Sequence, residues 1–109
     1  MAFYMIQAAY TAEAAATMAK NPQDRSKPFD ELTQKLGGRL ISDYFCFGEY
    51  DIVALFEVPD DKTALATSMA AVTPGHVKAI KTTRLFTMEE TMEAMGKAGS
   101  VTYQGPSQG

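Results

Sequence analysis

The sequence has a single cysteine, no tryptophan and no long apolar run. Cys46 cannot form an internal disulfide, and its position inside an apolar run predicts a small buried residue. No stretch approaches the ~20 consecutive apolar residues of a membrane span, and the N-terminus lacks the charged start and apolar stretch of a signal peptide. We therefore expect a soluble, cytoplasmic protein with no membrane partner.

Positive charge is also scarce. The chain carries 13 acidic and 10 basic residues, a formal net charge of −3, and no basic run stands out. Because nucleic acids are bound mainly through clustered lysine and arginine, we expect no nucleic-acid partner. One histidine and one cysteine do not supply the ligands of a zinc site, and no glycine-rich loop is present to cradle phosphate. The sequence therefore predicts neither a metal nor a cofactor.

Length and composition favour one folded domain. The 109 residues are 46% hydrophobic and 21% charged, which is typical of globular proteins. We expect this domain to cover residues 1–98. Residues 99–109 are rich in glycine, serine, glutamine and proline and have few apolar side chains to pack, so they predict a flexible tail.

The most informative stretch is residues 39–58, where two apolar runs flank the turn Gly48-Glu49-Tyr50-Asp51. Glycine tolerates a positive φ and aspartate can accept hydrogen bonds from turn amides, so this stretch predicts a β-hairpin. In the second run, residues 52–58, apolar side chains occupy both faces of the strand. An antiparallel sheet with helices on one face is expected to be polar on the other if that face meets water. We therefore expect a partner to cover the second face.

The remaining patterns predict the other elements. In chain order they indicate a central strand over residues 3–10, a helix capped by Thr11 that runs to about Lys20, and a helix from about Pro28 to Gly37-Gly38. After the hairpin they indicate a helix capped by Asp60 or Asp61, an edge strand over residues 76–86 and a helix over residues 88–97 capped by Thr87. The order is βαββαβ with an added C-terminal helix. It predicts a ferredoxin-like α+β fold, in which a four-stranded antiparallel sheet carries its helices on one face.

Two of these helices have an apolar stripe at i, i+4 and i+7, formed by Leu65, Met69 and Val72 on the third helix and by Met88, Met92 and Met95 on the last. We expect the first stripe to point into the core. The methionine stripe is too narrow to stabilise a helix alone. We therefore expect the last helix to dock on its own subunit or on a neighbour.

Four short segments, in this order, resemble the GYD domain family: Leu36-Gly37-Gly38-Arg39, then residues 48–54, residues 57–61 and residues 82–87. The resemblance covers about residues 3–98. It implies a ferredoxin-like fold of the dimeric α+β barrel type, which is built for self-association. It implies no general activity, because fold alone does not assign one.

His76, Tyr44 and Tyr10 are the candidate catalytic residues. His76 is the only histidine, and an imidazole of ordinary pKa can act as a general base near neutral pH. Tyr44 or Tyr10 could then orient a phenolic or enolic substrate. The alternative is an exposed histidine at the start of a strand with no chemical role.

The candidate ligand-binding residues are Tyr4, Tyr50 and Arg25. Arg25 lies in the break between two helices, and a guanidinium can bind a carboxylate through two parallel hydrogen bonds. The alternative is structural: arginine pairs with surface acids, and Gly48, Tyr50 and Asp51 form the hairpin turn.

Three functions remain open. We favour a self-associating assembly subunit, a homo-oligomer that forms through the open sheet face and the C-terminal helix. The first alternative is a small cofactor-independent enzyme, similar to the cyclases and monooxygenases that share the dimeric barrel fold, acting by His and Tyr proton transfer on a small carbonyl or phenolic compound. The second alternative is a small-molecule binding module. The sequence identifies no substrate, oligomer number or physiological role.

Overall fold

A computed structural model describes residues 1–107 of the chain. In chain order these residues form β1 (Ala2–Tyr10), α1 (Ala12–Lys20), α2 (Ser26–Lys35), β2 (Arg39–Phe45), β3 (Ile52–Val58), α3 (Asp61–Val72), β4 (Val77–Leu85) and α4 (Met88–Gly99). The βαββαβ order and the added C-terminal helix are therefore confirmed.

The strands form one antiparallel sheet in the order β2-β3-β1-β4. The first strand is central and β4 lies at an edge, as predicted. Residues directly opposite in the ladder share a face of the sheet. The pair Tyr4 and Phe56 and the pair Ile6 and Ala54 therefore mark one face. The fold is ferredoxin-like α+β.

The hydrophobic core lies on the Tyr4 and Phe56 face, between the sheet and helices α2 and α3. Tyr4 is 2% exposed, and Phe56 and Val58 are fully buried. The Phe29 ring of α2 meets the Phe56 ring edge-on at 5.6 Å, and α3 contributes the buried Ala64. We call this side of the sheet the packed face.

The opposite side of the sheet, which we call the open face, presents Phe3, Met5, Gln7, Tyr44, Val53, Leu55, Thr83 and Leu85. Each of these side chains is half-buried or exposed. The buried core cluster of the described chain contains none of them.

The loop of residues 46–51 joins β2 to β3. Gly48 has a φ of +106°, a region that residues with a Cβ rarely adopt, as the predicted turn requires. The Asp51 carbonyl closes this loop by accepting from the Cys46 N–H at 2.8 Å, and its backbone N–H donates to the Ala8 carbonyl at 2.9 Å. Its Oδ2 accepts from the Tyr10 N–H at 2.8 Å. Asp51 thus ties the loop to the end of β1, whereas we had expected its carboxylate to accept from amides of its own turn.

Cys46 is exposed, so the prediction of a buried thiol is wrong. The strand β2 ends one residue earlier, at Phe45, which places Cys46 in the loop. Its Sγ–H donates to the Tyr50 carbonyl at 3.3 Å. The Tyr50 side chain is half-buried.

The predicted helix N-caps form as side-chain chemistry dictates. Thr11 accepts from the Ala14 N–H and Asp60 from the Thr63 N–H, and Thr87 forms a complete capping box with Glu90. Each of these bonds satisfies an amide that the helix itself leaves free.

The inward stripe predicted for α3 is wrong. Leu65 and Met69 are 62% and 61% exposed, and Val72 is exposed as well. The helix instead buries Ala64 and Thr67 against the sheet. Because these side chains are small, α3 can lie close to the sheet, and its large apolar residues are turned to the outside.

The C-terminal helix α4 extends away from the sheet. Within residues 1–107, α4 makes at most a marginal contact with any other helix or strand. The side chains of its predicted stripe, Met88, Met92 and Met95, are 76%, 70% and 65% exposed. The radius of gyration is 17.8 Å, whereas a compact domain of this length has about 13 Å. Residues 101–107 form no helix or strand, and residues 108–109 of the predicted tail lie outside the described residues.

Candidate functional site

A cavity of about 240 Å³ lies between the packed face and helices α2 and α3. Its walls include the small side chains Ala8, Ala54, Ala70 and Ala71. Farther along the same layer the space is filled by large side chains such as Phe56. Alanine at these positions is therefore what leaves the cavity open.

Four polar side chains line this cavity, Tyr10, Arg25, Asp43 and His76. They come from four parts of the fold: Tyr10 ends β1, Arg25 precedes α2, Asp43 lies in β2 and His76 precedes β4. His76 is exposed and Arg25 is half-buried, so this part of the cavity is its mouth. The fold thus joins an apolar interior to a polar rim.

A bulge in β2 brings Asp43 to this rim. The pairing register shifts between Leu40 and Ser42, so that Asp43 lies opposite Ala54 on the packed face. There both carboxylate oxygens of Asp43 lie 2.8 Å from the Ser26 hydroxyl, which donates to the carboxylate.

Arg25 carries a charge that no carboxylate within residues 1–107 approaches to 4 Å. Its Nη1 donates to the neutral Gln23 amide oxygen at 3.0 Å. Asp43 lines the same cavity but is hydrogen-bonded by Ser26. The guanidinium therefore remains available to an acceptor in the cavity.

Tyr10 supplies a neutral hydroxyl beside Arg25. Burial raises the pKa of Tyr10, and the nearby Arg25 guanidinium acts in the opposite direction. The Tyr10 ring stacks on the Phe45 ring with 6.0 Å between centroids. At neutral pH this hydroxyl can donate a hydrogen bond from a fixed position.

His76 is held through its backbone, since its carbonyl accepts from the Thr11 N–H at 2.9 Å. Its imidazole makes no hydrogen bond with any side chain of the described range. A second cavity, of about 430 Å³, lies outside the first and shares Tyr10, Arg25, Pro74 and His76 with it. We call this second space the vestibule.

The structure brings together three of the candidates from the sequence, His76, Tyr10 and Arg25, and separates the others. Tyr44 lies on the open face, is 67% exposed and does not line either of the two spaces at His76. Sequence reasoning missed Asp43, whose place at the rim depends on the β2 bulge and has no signal in the local pattern.

Tyr4 belongs to a different cluster, around Arg84. The Tyr4 hydroxyl donates to Asp61 Oδ1 at 2.6 Å, and the Arg84 guanidinium lies 5.6 Å from the Tyr4 ring centroid and 4.5 Å from that of Phe86. Arg84 also approaches Asp61 at 3.7 Å and Glu90 at 3.4 Å. This cluster links β1, α3 and β4 to the start of α4.

Within residues 1–107, no group of three or more histidine, cysteine, aspartate or glutamate side chains could hold a metal ion. No helix in that range is both long and apolar enough to cross a membrane.

Comparisons with known proteins identify the family. The family model described as the GYD domain matches residues 4–95. A relative from Thermus thermophilus, named glutamine synthetase and cystathionine beta-lyase binding protein, is 28% identical over 78 residues, which are 72% of this chain and 82% of the relative. The crystal structure of MtbAldR is similar to this one, with a TM-score of 0.57 and 14% sequence identity. The similarity covers 79% of this chain and 52% of MtbAldR, so the chain spans about half the length of MtbAldR and shares its fold. Because the family model matches most of the chain, the protein belongs to the GYD domain family.

Proposed function

We propose that the protein is an assembly subunit that self-associates through the open face. The observation that carries this proposal is the apolar character of that face, where Met5, Val53 and Leu55 lie side by side without a helix of the described chain packed on them. Covering large apolar side chains contributes about 1.5 to 3 kcal/mol each. A second copy of the chain would supply that cover.

A shallow apolar depression of about 210 Å³ extends the open face toward α4. Phe3, Ile41, Leu55, Leu85 and Phe86 line it. Phe86 is 61% exposed and lies two residues before the start of α4. The open face and the helix are therefore continuous, and one partner can cover both.

Light scattering at micromolar concentration tests self-association. The wild type should have a mass that is a multiple of 11.8 kDa. Leu55→Glu places a charge in the middle of the open face and should give the mass of one chain, because a buried unpaired carboxylate is unfavourable.

Leu65→Glu is the matched control, since Leu65 is 62% exposed on the outer side of α3. It should assemble like the wild type, and circular dichroism should show that both variants keep the native secondary structure. A wild type that remains a single 11.8 kDa particle would contradict the proposal.

We further propose that the assembled protein binds an enzyme. The support is the name of the Thermus relative, which describes binding of glutamine synthetase and cystathionine beta-lyase. Each of these enzymes, purified from the organism that encodes this chain, should co-elute with the wild type in size-exclusion chromatography. Co-elution of neither enzyme would contradict this part of the proposal, whatever the oligomeric state.

The enzyme alternative receives less support from the geometry. His76 and Tyr10 line one cavity, which gives a substrate a place to bind. However, no side chain of residues 1–107 holds the exposed His76 imidazole in a defined orientation. A general base is usually oriented by a hydrogen-bonded partner.

A further inference from the structure

The cavity beneath α2 and α3 combines an apolar body with a charged mouth. Apart from Tyr10, Arg25, Asp43 and His76, its walls are aliphatic or aromatic, and several of them are alanine. Pockets that bind small molecules usually have this composition, with a few polar groups that fix the orientation of the ligand. Self-association through the open face does not use this cavity, because it lies on the other side of the sheet.

The charges at the mouth determine which head group fits. The Arg25 guanidinium has five N–H donors, and its hydrogen-bond partners are the neutral Gln23 amide oxygen and the neutral Tyr10 hydroxyl. Asp43, the acidic side chain of the cavity lining, is already hydrogen-bonded by the Ser26 hydroxyl. The Arg25 guanidinium at the mouth therefore lacks an anionic hydrogen-bond acceptor. A carboxylate can supply one, because its two oxygens match the geometry of a guanidinium.

We propose that this cavity binds a small carboxylate with an apolar body, whose chain lies between the alanine walls and whose carboxylate contacts Arg25. The Tyr10 hydroxyl and the His76 imidazole line the same mouth and can donate to the second carboxylate oxygen. The vestibule outside Arg25 and His76 provides the route of entry.

Three probes with one carbon skeleton test the head group: hexanoate, its 2-amino derivative norleucine, and hexylamine, which reverses the charge. Binding is measured by titrating the ¹⁵N-labelled full chain and following the amides of Ala8, Ile52 and Ala54. Hexanoate should bind saturably with a Kd on the order of 1 mM or tighter, as expected for a ligand of this size.

Norleucine distinguishes two sources of the carboxylate. Tighter binding of norleucine than of hexanoate would indicate an amino acid whose ammonium group meets Asp43, and weaker binding would indicate a simple carboxylic acid; either outcome supports a carboxylate site. Hexylamine binding as tightly as hexanoate, or no saturable shift with either carboxylate, would overturn the proposal.

Two pairs of variants locate the site. Arg25→Gln should weaken hexanoate binding by at least about tenfold, because it removes the charge that contacts the carboxylate. Arg39→Gln is its control. The Arg39 side chain is exposed, does not line the cavity, and forms an ion pair with Glu57 over an N–O distance of 2.7 Å. Unchanged binding in Arg25→Gln would overturn the assignment of the head group.

Ala54→Leu should abolish hexanoate binding by filling the cavity from β3, and it has space to fold because the added atoms enter a void. Ala66→Leu, the same change on the exposed side of α3, should bind like the wild type. Binding that survives in a folded Ala54→Leu protein would place the ligand elsewhere and overturn the proposal.

Discussion

The buried Tyr4 phenol is less acidic than a free phenol. Burial, followed by the hydrogen bond and the negative charge of Asp61, raises the pKa of Tyr4 from 10.0 to about 12. Folding therefore favours the neutral phenol. Because the pKa is higher in the folded state, the neutral phenol contributes stability, and this contribution is fully present below the unfolded pKa of about 10. It is lost as the pH rises from about 10 toward the folded pKa of about 12.

Tyr4→Phe removes this hydrogen bond and leaves the ring. We expect the free energy of unfolding at pH 7 to fall by about 1 to 2 kcal/mol. Urea unfolding followed by circular dichroism should show that the difference from wild type shrinks above pH 10, because the wild type alone loses the contribution of this phenol. Tyr103→Phe, at a side chain that is 90% exposed, should match the wild type throughout. A difference from wild type that stays constant up to pH 12 would contradict this account.

Gly38 directly precedes β2, at a point where the chain passes close to the backbone of β3. A Cβ at this position would lie 1.9 Å from the Glu57 carbonyl oxygen and 2.8 Å from Val58 Cγ1. We expect Gly38→Ala to lower the free energy of unfolding by about 2 to 4 kcal/mol, because the backbone itself must move. Gly96→Ala is the control, because a Cβ added at Gly96 would have no atom within 4 Å. The stabilities of the two variants are compared by chemical denaturation. An equal stability of the two variants would contradict the close approach.

At the scale of elements, α4 is the helix with the least support from its own chain. Its twelve residues are too few for a stable isolated helix in water, and its methionine stripe is exposed. Deleting residues 100–109 should leave assembly unchanged, whereas deleting residues 88–109 should weaken it, as measured by the concentration at which light scattering detects dissociation. If both truncated proteins assemble like the full chain, α4 takes no part in the interface.

The caps and turns were predictable from the sequence because their chemistry is local. Thr11, Asp60 and Thr87 each accept from an amide three residues away, and Gly48 needs only its own backbone freedom. The side of α3 that faces the sheet was not predictable from size and spacing. Ala64 is buried there and Leu65 is not, because the closeness of the helix to the sheet decides which side chains fit.

The candidate site was predictable only in part. His76, Tyr10 and Arg25 were named from their chemistry, but their meeting at one cavity depends on elements far apart in the chain. Strict alternation along β2 places Leu40 on the face opposite Asp43, whereas the bulge between Leu40 and Ser42 brings both residues to the packed face. Nothing in a local pattern reports an inserted residue of this kind.

For the whole molecule, the position of α4 decides the dimensions. We expect Leu55→Glu, which should be monomeric, to give a radius of gyration near 17.8 Å in small-angle X-ray scattering. A compact chain of this length has about 13 Å. A measured value near the compact one would show that α4 folds back onto its own subunit, and the open face would then have an internal cover.

The central position of β1 has a consequence for synthesis of the chain. This strand leaves the ribosome before the other three strands of the sheet, but its two neighbours in the sheet are residues 52–58 and 77–85. The local β2 and β3 hairpin can pair early, whereas β1 keeps an unpaired edge until β4 has been made. Because an unpaired edge can pair with a strand of another chain, a nascent chain that stalls before Leu85 is prone to aggregate. Slower translation through β4 should therefore lower the fraction of chains that fold.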